Sequence, residues 1–531
     1  MNKRLIYFIL VFILSGCDGS GAGEKDGGGQ DGGRVDGGSA DADTDSDKDG
    51  DGDSDADAGA DTGGNPDGSG AYQWHTFFGT VIEDFGDDIA ADTDGNLYIL
   101  GKSFRSWTGP EGENPLNDFK GSDDIAVLKL NSDGTYQWHT FYGSDDDSWP
   151  WGPYLSGSDF AADMVVDDSG NVYVTGFCHV GWTGPEGQAP LNNFYDSGDL
   201  FILKIDSEGT YQWHTFYRME YEDFVWAMDV DEKGSIYLTG NCYNEWTGPE
   251  GQGPLHAFTQ GETNAYILKI DTDGDYEWHT FYQDISGLGI AIDSFGDILI
   301  SGMSRDGWNG PDGQMPLNQF HHGVKGMNDA CILKLSDDGD YVWHIFYGTS
   351  GDDYGVTIVV DKDGNAYTTI ISDSLWEGPS GEDPIYEPDL GSNSVKCLLK
   401  LSSEGKYGWH LCNEHIYGHS LDVNEKGEIF LAGTSYTNWS GPSGQYPLHE
   451  NDGTSGYVDI HVIKLDKTGH YEWHTFYGSD KDDYGINIAL DDNRGLWITG
   501  TSDASWSGPG GQSPLNEYSG DSDITILKLR Q

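Results

Sequence analysis

Seven histidines each follow a tryptophan in one recurring motif, Tyr-x-Trp-His: His75, His139, His214, His279, His344, His410 and His474. Imidazole ligates metals and titrates near neutral pH, so a repeated set invites a metal reading. Seven other tryptophans open a second motif, Trp-x-Gly-Pro: Trp107, Trp182, Trp246, Trp308, Trp376, Trp439 and Trp506. Exposed indoles beside carboxylates suit stacking on sugar rings, with hydrogen bonds to the hydroxyls. Acidic pairs are at hand in Asp87-Asp88, Asp145-Asp146-Asp147, Asp352-Asp353 and Asp482-Asp483.

Which chemistry these residues can do depends on the elements that carry them. The motif tyrosines stand at 72, 136, 211, 276, 341, 407 and 471, with spacings of 64, 75, 65, 65, 66 and 64. The long second spacing reflects an insertion at Asp145–Asp159 that contains Trp149 and Trp151. After each tyrosine motif the same series returns. An apolar run such as Met164-Val165-Val166 leads through a glycine turn to a run such as Val172-Tyr173-Val174. The Trp-x-Gly-Pro connection follows, then a lysine-bearing run such as Ile202-Leu203-Lys204, then the next tyrosine motif. Short β-branched and aromatic runs bounded by Gly, Asp and Asn are strands, and the tight glycine links are hairpin turns. Four-stranded units repeated around the chain predict an all-β, seven-bladed β-propeller over 72–531. A solenoid would need capping terminal repeats, and none is seen. Instead the chain begins its repeats with a lone fourth strand, Tyr72–Phe78, and ends on a third strand, Ile524–Leu529. Pairing the two completes the last blade and closes the ring.

The architecture weighs against the metal reading. The histidines fall on the outermost strand, where equivalent points on neighbouring blades lie roughly 15 Å apart, against Zn–N bonds of ~2 Å. No metal site and no cofactor are expected. The Trp-x-Gly-Pro connections and the acidic links share one face of such a ring. Two readings stay open for the tryptophans. Either they form a binding face for a glycan or protein, or each one plugs the gap between adjacent loops.

The repeat resembles the seven-bladed β-propeller (SBBP) repeat of bacterial exported proteins. The resemblance is carried by the turn and strand Asp361-Lys-Asp-Gly364-Asn365-Ala-Tyr367, the lysine-bearing third strand and the tryptophan-bearing fourth. It covers 72–531. The fifth unit departs from it with Ile370-Ile371 where other units have Gly, and the sixth with Leu411-Cys412-Asn413 where most have Thr-Phe-Tyr. The resemblance implies a fold and an extracytoplasmic place, and no defined activity.

The first residues resemble a bacterial lipoprotein signal. Lys3 and Arg4 precede an apolar run, Leu5–Leu14, too short to span a bilayer, and Leu14-Ser15-Gly16-Cys17 is similar to a lipobox. The resemblance implies removal of 1–16 and lipidation of Cys17, which would anchor the protein stably in a bilayer. The expected place is the bacterial cell envelope, at the outer membrane or cell surface in preference to the inner membrane. Asp18, directly after the cysteine, resembles an inner-membrane retention signal of enteric bacteria.

Residues 17–71 read as a lipidated cysteine followed by a disordered tether of Asp, Gly, Ser, Ala and Thr. Sixteen acidic residues stand against Lys25, Arg34 and Lys48 in 18–70, and too little is apolar to offset the entropy of ordering. Asp45-Ser46-Asp47-Lys48-Asp49-Gly50 matches the first half of a calcium loop, but its twelfth position is Ala56 in place of the bidentate Glu. Weak, diffuse calcium association with the tether is expected. The chain as a whole carries 91 Asp+Glu against 27 Lys+Arg, a formal charge of -64, which repels phosphate backbones and excludes nucleic acid as a partner.

Catalysis has no motif to rest on. The turn Ser132-Asp133-Gly134-Thr135-Tyr136-Gln137-Trp138 is similar to the Asp-box of sialidase propellers, but its Gly-to-Trp distance is one residue too long. The arginine triad of a sialidase would have to come from Arg105, Arg218, Arg305, Arg494 and Arg530, which do not form an obvious set. The expected function is a non-catalytic binding or scaffold module, the alternative a lectin or carbohydrate-active enzyme. Among the cysteines left after Cys17, Cys397 and Cys412 flank one hairpin turn and can face each other as a disulfide. Cys178 and Cys242 recur at one position of adjacent units, too far apart to bridge.

Overall fold

The computed structural model describes residues 70–531, apart from 146–158, 196–197, 219–223, 261–262, 322–326, 387–394, 414–417, 452–455 and 492. The signal segment, Cys17, the tether and nearly all of the Asp145–Asp159 insertion, with Trp149 and Trp151, lie outside the described residues.

Seven four-stranded antiparallel sheets form seven blades. Blades 1 to 6 span 84–142, 159–217, 224–283, 285–347, 353–413 and 418–477, and blade 7 runs from 483 to 530. In blades 1 to 6, strand order follows the chain from the innermost strand to the outermost. The inner strands pack on one another around the whole ring, the last against the first. Blade 7 takes its outer strand from Tyr72–Phe78, which pairs antiparallel with Asp523–Arg530 in the register Tyr72↔Leu529, His75↔Leu527 and Phe78↔Ile524. The expected closure is therefore present, and the third strand is one residue longer at each end than the sequence suggested.

Local chemistry explains the blade. In the turn between the first two strands of blade 2, Asp167 Oδ1 accepts from the Ser169 and Asn171 main-chain N–H groups, each at 2.9 Å. Gly170 supplies the left-handed residue, φ 77°. The inner strand carries a bulge, with the register shifting between Ala161 and Asp163. The bulge pushes the Phe160 carbonyl onto Gly176 of the second strand, where a Cβ would stand 1.8 Å from that oxygen. Blade 5 has Ile370 and Ile371 there, and its register shift widens to Gly355–Ile358.

The hydrophobic core is not one mass. Seven clusters of buried side chains lie in the seams between blades, one to a seam. Polar clamps cross several of the same seams, from one blade to the next. Lys129 of blade 1 donates to the Ser207 carbonyl in the last turn of blade 2 at 2.7 Å, and Trp138 Nε1 donates to the same oxygen at 3.2 Å. Lys528 of blade 7 makes the same reach to Ser132 of blade 1, at 2.5 Å.

Candidate functional site

The Trp-x-Gly-Pro connections do not stand on a face. Each folds down along the outer edge of its own blade: Leu116 N donates to His139 O at 2.9 Å and Phe141 N to Asn117 O at 3.2 Å. The matching bond recurs at Leu191, Leu255, Leu317, Ile385, Leu448 and Leu515, so the free edge of every outer strand is covered. Six of the seven tryptophans are buried and Trp246 is partly so. Of the two readings of these tryptophans, the packing one describes their geometry. Trp182 meets Tyr142 of the preceding blade at 6.1 Å, Trp376 meets Tyr347 at 5.2 Å, and Trp506 meets Tyr477 at 6.1 Å.

Each of these indoles stacks on the histidine of its blade. Ring centroids are 3.8 Å apart for Trp107–His139, 4.1 Å for Trp182–His214 and 3.7 Å for Trp439–His474. His139 Nε2 bonds the Trp107 carbonyl at 3.0 Å and Nδ1 lies 2.6 Å from the Tyr136 hydroxyl. A carbonyl only accepts, so Nε2 carries the proton and Nδ1 receives the tyrosine O–H. Burial lowers the His139 pKa to about 4. A neutral imidazole with both nitrogens engaged, far from its counterparts, is a structural joint.

The acidic links are not displayed as expected either. Asp353 and Asp483 open inner strands and are 0% exposed, and Asp88 is 5% exposed. Toward the axis, carboxylates staple one inner strand to the next. Asp88 Oδ2 accepts from Met164 N at 2.8 Å, Asp163 Oδ2 from Met228 N at 2.7 Å and Asp229 Oδ2 from Ile292 N at 2.7 Å. Ser420, Asn487 and Asp88 continue the chain of side-chain hydrogen bonds across blades 6, 7 and 1. Burial and then the neighbouring Asp163 charge push the Asp88 carboxyl well up, and burial raises Asp163.

What distinguishes one part of the ring is a run of aromatics at the head of the inner strands of blades 1 to 3. Phe85, Phe160 and Phe224 occupy equivalent positions, opposite Lys102, Phe177 and Asn241 of the second strands. Phe160 stacks on Phe177 at 5.0 Å, Phe177 meets Phe224 edge-on at 6.3 Å, and Phe224 stacks on Trp226 at 5.5 Å. Lys102 Nζ lies 4.0 Å from the Phe160 ring centre, and Trp226 Nε1 donates to Asn241 Oδ1 at 2.6 Å. Phe224 is 37% exposed, and the other rings of the arc are partly so. Blade 4 places Ser286 and Met303 at the same pair of positions. Blades 5 and 7 place Tyr354 and Tyr484 there, opposite Ile371 and Thr501, so what sets blades 2 and 3 apart is the aromatic or amide partner on the second strand and the ring-to-ring contacts it allows. The arc lies at the end of the ring where the insertion joins blades 1 and 2. Sequence reasoning missed it; the available signal was the phenylalanine opening three successive inner strands.

Cys397 and Cys412 sit opposite each other in blade 5 and are joined as a disulfide, with Cα atoms 4.0 Å apart. Cys178, Cys242 and Cys331 are buried free thiols. Among the described residues no three His, Cys, Asp or Glu side chains converge as metal ligands. The arginines do not gather: Arg218 lies over Tyr195 at 4.0 Å, and Arg494 reaches the Gln531 carbonyl at 3.3 Å.

No family model matches the sequence. The chain is 26% identical over 251 residues to the regulatory protein FlaEY of Caulobacter vibrioides, covering 47% of this chain and 24% of that one. It is 19% identical over 542 residues to an uncharacterized WD repeat-containing protein of Acanthamoeba polyphaga mimivirus, covering 84% of this chain and 37% of the relative. The chain thus spans about a quarter and somewhat over a third of the curated relatives it matches. Among solved structures it resembles an ulvan lyase, with TM-score 0.39 and 10% identity over 87% of this chain and 95% of that one.

Proposed function

We propose that the protein is an exported, lipid-anchored binding module. Cys17 would hold it in the envelope membrane, 18–70 would space it from the surface, and the propeller would present the aromatic arc of blades 1 to 3 to a glycan. One observation carries this reading: in the arc, partly exposed rings touch one another in a continuous row, while the repeated tryptophans and histidines are engaged in the seams. Flat aromatic faces beside Asn241 and beside His179, whose ring meets Phe177 edge-on at 6.1 Å, suit the C–H face and hydroxyls of a sugar. A non-catalytic role is favoured because the Asp88 and Asp163 oxygens already bind main-chain N–H groups of neighbouring blades.

Glycan-array binding of the non-lipidated chain tests the ligand class. Phe224→Ala and Trp226→Ala should each weaken binding at least tenfold, while Trp439→Ala on the far side should alter only stability. Absence of any glycan signal refutes the ligand class. Turnover of a bound glycan refutes the non-catalytic role. The anchor is tested separately: Cys17→Ala should release the protein from carbonate-washed membranes, and its retention there would refute lipidation.

A further inference from the structure

Four seams share one arrangement of aspartates. The first residue of a third strand faces the first residue of the next blade's inner strand: Asp124 and Asp159, Asp329 and Asp353, Asp459 and Asp483, Asp523 and Asp84. All eight are at most 2% exposed. Each pair closes on the glycine that follows an outer strand, Gly143 in the seam between blades 1 and 2. A Cβ on Gly143 would stand 2.5 Å from Asp124 Oδ1 and 2.9 Å from Asp159 Oδ2. Two carboxylates from two blades thus converge on a cradle that only glycine leaves open.

One oxygen of each carboxylate has a partner. Lys120 N donates to Asp124 Oδ2 at 2.6 Å, and Ser144 N donates to Asp159 Oδ2 at 2.8 Å. The other oxygen of each, Asp124 Oδ1 and Asp159 Oδ1, is buried without a hydrogen-bond donor. Among the described residues no lysine or arginine pairs with either; the nearby Lys102 pairs with Asp123. The seam of blades 4 and 5 shows how the same need is otherwise met: there Ser372 Oγ donates to Asp353 Oδ1. Ser103 and Ser502 stand opposite Asp84 and Asp483 in the same register. Opposite Asp159 stands Cys178, whose thiol is turned to the Asp199 carbonyl at 3.8 Å. Asp84 Oδ1, Asp523 Oδ1 and Asp483 Oδ1 are also buried without a donor, but only the first of these seams has no hydroxyl opposite its inner-strand aspartate. Burial raises both the Asp124 and Asp159 carboxyls, and a cation between their orphaned oxygens would relieve that cost.

We propose that the seam between blades 1 and 2 binds a calcium ion between Asp124 and Asp159. The donors are all oxygen, which selects a hard cation over zinc. Two fixed carboxylates in an irregular seam suit calcium, whereas magnesium demands near-ideal octahedral geometry and keeps its waters. The ion would neutralise both charges and tie two blades together beside the aromatic arc. Main-chain carbonyls and water would complete its shell, since no third acidic, histidine or cysteine side chain converges here among the described residues. This site is separate from the weak calcium association expected of the tether, and it does not depend on what the arc binds.

The test is thermal unfolding of the non-lipidated chain, stripped with EDTA and then given millimolar CaCl2 or MgCl2. Calcium should raise the melting temperature by several degrees and magnesium by much less. Asp124→Asn with Asp159→Asn should abolish most of the calcium shift, while Asp329→Asn with Asp353→Asn should keep it. Since the first pair of substitutions can also hinder folding, Cys178→Ser gives a second arm. It restores the hydroxyl seen in blade 5 and should stabilise the metal-free protein while shrinking the calcium shift. Equal melting temperatures in EDTA and calcium would overturn the proposal. So would a full calcium shift in a folded Asp124→Asn, Asp159→Asn protein, which would place the ion on the tether.

Discussion

His75 stacks face to face on Trp506, with ring centroids 3.7 Å apart, and bonds its carbonyl at 3.0 Å across 431 residues of chain. The same joint is local in the other six blades, where histidine and tryptophan are 32 to 36 residues apart. In blade 7 it fastens the beginning of the propeller to its end.

Closure can be weighed by removing it. Trp506→Ala should cost about 3–5 kcal/mol, the usual range for emptying a large aromatic site in a core. Deleting 72–78 should lower the melting temperature further, because the third strand of blade 7 then loses its partner as well. Calorimetry on non-lipidated protein measures both. An unchanged melting temperature after the deletion would mean that the ring does not close through these strands.

The histidine joints predict an acid-side dependence. Burial lowers the His139 pKa from 6.5 to about 4, so the unfolded chain binds a proton in that interval that the folded chain refuses. Stability from this group is therefore complete above pH 6.5 and falls as pH drops toward 4. His139→Asn should cost about 1–3 kcal/mol at pH 7, by leaving the Tyr136 hydroxyl and Trp107 carbonyl poorly met. The gap between wild type and variant should narrow at pH 5. A constant gap in denaturant titrations at the two pH values would show that His139 titrates normally.

The axial carboxylates act in the opposite sense. Burial raises the Asp229 pKa from 3.8 to about 7. Between those values the folded protein holds a proton that the unfolded chain has released, so stability from this group is lost as pH rises. Asp229→Asn keeps an acceptor for Ile292 N and cannot ionise. It should flatten the fall in melting temperature between pH 5 and pH 8 relative to wild type. A parallel fall in both proteins would contradict the raised value.

Two glycines separate backbone strain from contact. Gly209 has φ 78°, and a Cβ there would meet Leu116 Cδ1 of the preceding blade at 2.4 Å. Gly187 has φ 82° with nothing within 4 Å of the same atom. Gly187→Ala should cost only the left-handed backbone penalty, about 1–2 kcal/mol. Gly209→Ala should cost clearly more, because Leu116 must leave its seat. Equal costs by chemical denaturation would mean that the leucine contact contributes little.

Repetition made the fold readable. Seven copies of Tyr-x-Trp-His marked the outer strands, and the lone strand at 72–78 announced closure. The direction of the Trp-x-Gly-Pro loops was hidden because spacing records recurrence and not path. Only the pairing of Leu116 with the His139 carbonyl shows the loop descending the edge. The acidic pairs were read as loop residues, whereas Asp88, Asp353 and Asp483 had already entered inner strands. The arc at Phe85, Phe160 and Phe224 escaped notice because the reading followed the tryptophan and histidine motifs and not the aromatic near the start of the inner strands.

The forward reach of the seam clamps has a bearing on how the ring is made. Lys129 and Leu116 seek a turn that is synthesised later, and so do the lysines and leucines of blades 2 to 4. A blade emerging from a ribosome or an export channel thus carries unsatisfied contacts until its successor arrives. The sixth and seventh reach backward, Leu448 to Gly70 and the seventh to Ser132 and Gly134 of the first. The final step must wait for the longest loop in the chain to close, the kind of distant contact that slows folding. Until that moment, strand 72–78 has to be kept from pairing with the wrong edge.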